Sequence, residues 1–320
     1  MQGWRPVELT MARALIIGIS GQDGAYLARL LDARGVKVSG TTRSAAAPAA
    51  LAALGIAAAV TVQHLPDAGD GGAIAALLDA EQPDEIYHLA GDHATSGQPG
   101  EHGARSVCAI APWLKALRGT RGTRLFVGVS AAIFGAGGGA PVTAATAFAP
   151  QTAYATASAA VARDIAQARG DGIFAVAGMM FAHESRFAPP HALAQHIIAA
   201  VHAQARGQAF ALRAINPAAG IDIGWAAEYV DAMTRMLRAD TPADQVITTG
   251  TLIGPVDIAR WAGDFFKTDA SALFGTGAPP LTGLRGDPAG AAATLGWRAH
   301  TVGRDLIDTL CEGYAAAQPR

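Results

Sequence analysis

The sequence predicts an α/β protein: a doubly wound parallel sheet, with a smaller mixed region interleaved with its edge. Three observations predict it. Short apolar runs alternate with helix-period stretches from Ala14 to Met180. A glycine-rich turn joins the first apolar run to the first helix. Beyond Phe181 the alternation loosens into shorter and less regular pieces. Strands that alternate with helices along one chain pair in parallel, because each parallel neighbour needs a crossover connection.

The first run, Ala14-Leu-Ile-Ile17, is long enough for a buried strand. Gly18, Gly21 and Gly24 follow at a spacing of three. Leu27, Leu30 and Leu31 then recur at helical spacing, and Gly35 stops the helix. This is the Rossmann-type order of strand, turn and helix, which aims backbone N–H groups and a helix N-terminus at a diphosphate. A Cβ would block the tight turn or the phosphate's approach. The second strand, Val36 to Thr42, ends in Arg43, and no Asp or Glu lies between Val36 and Ala50. An acid here holds the ribose hydroxyls of NAD, whereas an Arg accommodates a 2′-phosphate, so the expected cofactor is NADP. A solvent-facing loop arginine is the plainer alternative.

The remaining elements follow in order. A short helix spans 50–54, a third strand 58–63, a helix 73–80 and a fourth strand 84–90. A polar loop from His93 to His102 leads to a helix over 103–117 and a fifth strand over 123–130, which ends on the hydroxyl of Ser130. The Gly-rich loop 135–140 precedes a helix running from Thr152 and Tyr154 to about Arg169, then a sixth strand over 173–180. In the looser half the pattern gives helices over 189–206, 224–238, 255–266 and 303–316, a short strand Phe210–Arg213 and a strand-like piece 245–249. The expected organisation is a dinucleotide-binding domain over 11–181. A substrate-cap region follows over 182–320, with room for strands returning to the sheet.

Composition narrows the class. Of 320 residues, 51% are hydrophobic and 16% charged, enough apolar surface for a sizeable core. A net charge of -2 without a basic run argues against nucleic acid or an anionic membrane as partner. No apolar run reaches the roughly 20 residues of a membrane span. Cys108 and Cys311 are far apart, each in an apolar helical context, which fits a reducing, cytoplasmic setting without disulfides. Residues 1–10 lack an apolar signal core and read as an upstream start or a frayed tail. No His, Cys and Asp cluster has metal-ligand spacing.

Several stretches, in this order, resemble the extended short-chain dehydrogenase/reductases of the epimerase/dehydratase type, and among these the GDP-mannose 4,6-dehydratases. They are Gly18-Ile-Ser-Gly-Gln-Asp-Gly24, Gln82-Pro-Asp-Glu-Ile-Tyr-His-Leu-Ala90, Tyr154 opening a helix, Phe181-Ala-His-Glu-Ser185, Gly224-Trp-Ala-Ala-Glu-Tyr-Val230, Gly286-Asp-Pro288 and Leu295-Gly-Trp297. The resemblance covers roughly residues 12–315. It implies a cofactor site made by Gly18, Ser20, Gly21, Gln22, Asp23, Gly24, Arg43, His64, Leu65, Leu89, Ala90, Tyr154 and His183. It also implies oxidation of a sugar C4 hydroxyl, with Ser130 and Tyr154 handling the proton. A carboxylate would then take the C5 proton, and a lysine would hold the tyrosine's pKa down. A phenol is a poor base near neutrality without such a cation.

The chain departs from that pattern at several points. Four residues beyond Tyr154 stands Ser158 where the family has lysine, and the only lysines are Lys37, Lys115 and Lys267. Two residues beyond Ser130 stands Ala132 where the family has the carboxylate. On the substrate side, Ala182 replaces an Asn, Gln195 and His196 a basic pair, and Ile221 an Arg, with Asp222 retained. The late Arg-Pro segment is replaced around Pro279 and Pro280. His64 stands at an acid's position, and Ser44 at that of an Arg that helps join subunits in the family. A diphosphate in a site withdrawn from water needs cationic partners.

Three readings stay open: an NADP-dependent enzyme acting on a sugar or nucleotide sugar with altered catalytic residues, a non-catalytic NADP-binding protein that regulates or scaffolds an active paralogue, and an ordinary GDP-mannose 4,6-dehydratase. The expected assembly is a homodimer, or a hetero-oligomer with such a paralogue. His183 and Glu184 read mainly as a framework for the loop over the nicotinamide. His93 and His102 read as surface residues.

Overall fold

The protein's structure, a computed structural model, describes residues 12–46, 48–90, 110–120, 122–137, 139–275, 277 and 279–318. His93, His102 and Cys108 lie outside the described residues, as does the start of the helix expected from residue 103. Ten strands are described: β1 Arg13–Ile17, β2 Lys37–Thr42, β3 Thr61–His64, β4 Glu85–His88, β5 Arg124–Ser130, β6 Ala175–Met180, β7 Ala182–Glu184, β8 Ile221–Trp225, β9 Gln245–Ile247 and β10 Leu252–Ile253.

The chain divides into two compact units. The first comprises Met1–Ile133, Phe148–Met180 and Val230–Gln245; the second comprises Phe134–Ala147, Phe181–Tyr229 and Val246–Arg320. A seven-stranded sheet runs in the order β3-β2-β1-β4-β5-β6-β9, and β1 to β6 lie in the first unit. The five pairings from β3 to β6 are parallel. Strand order therefore reverses between β1 and β4, where Ile17 pairs with His88. Ligands of open α/β sheets bind outside the carboxyl ends of the strands at such a switch point.

The inner strands are apolar because helices cover both faces. Leu15, Ile16, Ile86, Tyr87, Leu125 and Phe126 are wholly buried. Gly178 has a reason of its own: a Cβ there would stand 2.6 Å from the Phe126 ring. Charge is admitted at the amino ends of the strands. Arg124 Nη1 donates to the carbonyls of Leu237 at 2.6 Å and Ala239 at 3.0 Å, and its guanidinium lies 4.3 Å from the centre of the Phe174 ring. Buried Glu85 accepts from Tyr87 Oη at 2.8 Å and Arg238 Nε at 3.1 Å.

The second unit has a core of its own, which so discontinuous a sequence pattern does not announce. Ile197, Ile198, Val201, Ile223, Ile258, Leu306, Ile307 and Leu310 pack together from four well-separated segments. Its sheet has three strands in the order β10-β8-β7, with β7 and β8 parallel and β8 and β10 antiparallel. Helices Leu193–Ala205 and Pro255–Phe266 fall within the expected segments, and Gly303–Ala317 runs one residue past its own. Phe210–Arg213 does not form the expected strand. Its Arg213 N–H donates to the His196 ring at 3.2 Å, so this segment is held by a side chain and not by a sheet ladder. The Gly224–Trp225 pair, expected in a helix, instead ends β8.

Candidate active site

The glycine turn follows β1. Gly18 has φ +93, a left-handed conformation that only glycine adopts without strain. A Cβ on it would stand 3.1 Å from Ala90 N and 3.2 Å from Leu89 C. A Cβ on Gly24 would run into Gly18 O and lie 2.6 Å from Ile19 Cα, so helix Gln22–Ala33 packs on the turn only because residue 24 lacks a side chain. The N–H groups of Gly18 and Ile19 both donate to Thr41 O at 3.1 Å, and Gly21 N to Gly18 O at 3.1 Å. Gly21 is the helix N-cap and supplies no capping side chain. Ser20 Oγ accepts from Thr42 Oγ1 at 3.0 Å, and Gln22 Nε2 donates to Asp23 Oδ1 at 3.2 Å. A bare helix start beyond a turn that needs glycine at 18 and 24 fits a dinucleotide diphosphate.

The other expected cofactor residues of this unit line the carboxyl edge. Arg43 is exposed just after β2, and its carbonyl accepts from His64 Nε2 at 3.0 Å. Leu65 is buried, with its N–H on Thr42 O at 2.9 Å. Leu89 donates its N–H to Ile17 O at 2.9 Å, which brings Leu89 and Ala90 against the turn.

Ser130 and Tyr154 lie in the same unit, at the carboxyl end of β5 and in the first turn of helix Ala153–Gly170. The segment before that helix is tied to the β5 end by Ala149 N donating to Ile133 O at 2.8 Å, within the turn Ala131–Phe134. Thr152 caps the helix through Oγ1, which accepts from Ala155 N at 3.1 Å. Ser130 Oγ accepts from Ala132 N at 3.2 Å. The two substituted positions differ. Ala132 is exposed, whereas Ser158 is fully buried and its Oγ has no hydrogen-bond partner among the described residues. Ser158 is thus a hydroxyl sealed in the packing, not a shortened lysine reaching toward solvent.

In the second unit the family-like residues form a frame. His183 Nδ1 donates to Phe181 O at 2.7 Å, and its ring stacks on Tyr229 with centroids 4.7 Å apart. Tyr229 meets Trp297 edge-on at 5.6 Å. Glu184 is buried and accepts from Ala194 N at 3.1 Å and Gln195 N at 3.0 Å, at the start of a helix whose N-cap, Ala192, offers no side chain. Burial pushes the Glu184 carboxyl up, against these two bonds, which hold it down. Gln195 Nε2 donates to Ser185 O at 2.9 Å, so it serves this frame. His196, beside Phe210 at 5.2 Å, titrates below its ordinary value because of burial and then the Arg213 charge.

Asp222 is a hydrogen-bond hub of this unit. Its carboxylate accepts from Thr248 Oγ1 at 2.5 Å, Thr249 Oγ1 at 2.6 Å, and the N–H groups of Thr249, Gly250 and Gly286 at 3.0–3.1 Å. Sequence reading kept Asp222 only as a retained family residue. The ring contacts of Tyr229 with His183 and Trp297 are not visible in the sequence, although all three residues sit in the quoted motifs. Among the described residues no group of three His, Cys, Asp or Glu side chains could hold a metal. No described helix is long and apolar enough to cross a membrane.

The parallel sheet, its switch point and the glycine cradle define a Rossmann-like α/β protein of the epimerase/dehydratase type. The profile of the GDP-mannose 4,6 dehydratase family matches residues 15–265, and the chain belongs to that family. It is 28% identical to GDP-mannose 4,6 dehydratase 2 of Caenorhabditis elegans, over 93% of this chain and 87% of that one. It is 32% identical to a GDP-mannose 4,6-dehydratase of Vibrio cholerae serotype O1, over 74% and 67%. In fold it is similar to dTDP-glucose 4,6-dehydratase of Bacillus anthracis in complex with NAD, with TM-score 0.82, 10% identity and coverage of 96% and 97%. It is also similar to the Thermus thermophilus UDP-glucose 4-epimerase complex with NAD, with TM-score 0.80, 16% identity and coverage of 96% and 100%.

Proposed function

We propose that this protein binds NADP in the Gly18–Gly24 cradle and acts on a hydroxyl or ketone of a sugar or nucleotide sugar through Tyr154 and Ser130. The observation that supports it most is an intact dinucleotide cradle in the same unit as Ser130, which ends β5, and Tyr154, in the first turn of helix Ala153–Gly170. A bound nicotinamide ring accepts or returns hydride. Ser130 holds the reacting oxygen by a hydrogen bond, and Tyr154 carries its proton. Arg43 after β2 favours the 2′-phosphate of NADP. His183 is fixed by Phe181 O and the Tyr229 ring. The protein works in the cytoplasm, as a homodimer or with a related subunit.

The test is absorbance of the nicotinamide on adding nucleotide sugar to the cofactor-loaded protein. Tyr154→Phe should abolish the substrate-dependent change. The sealed Ser158 hydroxyl favours one second reading, a cofactor-binding partner of an active paralogue without turnover of its own. That reading expects co-purification with another subunit and no absorbance change from any sugar. Ordinary GDP-mannose dehydration needs other groups in place of Ser158 and Ala132, and a direct assay for the 4-keto-6-deoxy product decides it.

A further inference from the structure

Between helix Leu193–Ala205 and β8 the chain runs without helix or strand over 208–216. Gly207, with φ +66, turns it off the helix end, and Gln208 N donates to Ala203 O at 2.9 Å. At the far end Ile215 packs on the core, and Ala218 N donates to Asn216 Oδ1 at 3.0 Å. Between these anchors, among the described residues, one hydrogen bond ties 209–214 to the rest of the unit. Arg213 N donates to His196 Nε2 at 3.2 Å. The other bond of the segment, from Leu212 N to Phe210 O at 3.1 Å, is internal. Phe210 is exposed, and its ring centre lies 5.2 Å from that of half-buried His196.

We propose that His196 is a pH-sensitive latch: its neutral ring holds residues 209–214 against the helix, and protonation of Nε2 releases them. To accept from an N–H, Nε2 must present its lone pair, so the neutral ring carries its proton on Nδ1. A proton taken up from solvent fills Nε2, removes the acceptor and sets two donors face to face. Burial opposes the charged ring, and so do two cations, Arg213 from the segment and His191 from the turn before the helix. The Pro190 carbonyl favours the charged ring and is outweighed. Glu184 on β7 is bound to Ala194 N and Gln195 N, and its charge acts on Arg213 and not on this ring. Helices Pro255–Phe266 and Gly303–Ala317 pack with Ile197, Ile198 and Val201 and bring no charge to His196. An open segment leaves the ring with an ordinary imidazole's affinity for protons. The latch is therefore closed above about pH 6.5 and opens as pH falls below it.

The experiment is hydrogen exchange with mass spectrometry on the full-length protein at about pH 7.5 and about pH 5.5, each peptide corrected for intrinsic exchange. Protection over 209–214 should fall about threefold or more at the lower pH, while residues 197–201 stay protected at both. His196→Gln offers the same N–H an amide oxygen that does not titrate, so protection should persist at both pH values. His196→Ala should leave the segment open at both, and His191→Gln should respond to pH as the parent does. Protection that ignores pH in the parent overturns the proposal. So does a parent-like response in either His196 variant, or its loss in His191→Gln. Nitrogen NMR of the histidine ring and the Arg213 amide decides the case in which the Gln side chain fails to reach. The proposal expects Nδ1 protonated and Nε2 bare near neutrality, with the ring and the amide titrating together. A proton on Nε2 near neutrality, or an amide that does not follow the ring, overturns it.

Discussion

The glycine turn and the residues Ser130, Ala132, Tyr154 and Ser158 lie in one unit, yet only the first is whole. The turn is made from backbone. Gly18, Gly21 and Gly24 act through what they lack, and any Cβ at 18 or 24 meets main-chain atoms of Ala90 or Ile19. The second set is made from side chains, and it has lost its charged ones: Ala132 is open and Ser158 is closed over. The difference teaches that cofactor geometry and proton chemistry are separable. The first depends on chain path, the second on ionisable groups that a single substitution removes.

The comparison is broken most forcefully at the turn. Gly24→Val should abolish detectable NADP and NAD binding by calorimetric titration and lower stability by about 1–3 kcal/mol, the usual cost of overpacking. If cofactor still binds, the cradle is not where it sits.

Ser158→Lys asks whether the lost lysine can simply be restored. A charge forced into a fully buried position should lower stability by roughly 3 kcal/mol in urea denaturation. Ser158→Ala, which removes an unpartnered hydroxyl, should be neutral or raise stability by about 1 kcal/mol. A Lys variant as stable as its parent means that the position is open after all.

His88, at the end of β4 beside the switch point, is buried, and burial lowers its pKa to about 4. The unfolded chain, with an ordinary imidazole, binds the proton first as pH falls from 6.5 toward 4. Stability is therefore fully present above pH 6.5 and is lost on acidification, by about 2 kcal/mol at pH 5. His196 and His202 shift in the same direction through partial burial and add to the slope. Thermal melts of His88→Gln should show a shallower fall over this window.

Arg43→Ala should sharpen the cofactor side. NADP affinity should drop about tenfold, or ~1.4 kcal/mol, with NAD affinity unchanged. Equal loss for both cofactors means that Arg43 does not read a 2′-phosphate.

Local features were legible in the sequence. Periodicity and three glycines gave the first strand, turn and helix, and alternation gave the six parallel strands in order. Helix boundaries at Pro255 and Phe266 fell where capping chemistry put them, with Pro255 at the first helical position. Contacts made at a distance were not legible. The five donors of Asp222 come from residues 26 to 64 positions away, and nothing near Asp222 announces them. Phe210–Arg213 looked like a strand because its residues tolerate extended backbone. A strand also needs a neighbour, and only the ring of His196 was there.

The sequence by itself determined the cofactor cradle, because a turn that only glycine can make is written in residues next to one another. It determined the absence of charge from Leu125 to Ala162 in the same way. Tertiary structure decided what those absences mean. Ser158 and Ala132 are both small side chains where charges were expected, and sequence gives them equal weight. Only packing distinguishes a hydroxyl shut away from water from a methyl left exposed, because burial is a property of every element that folds around a residue.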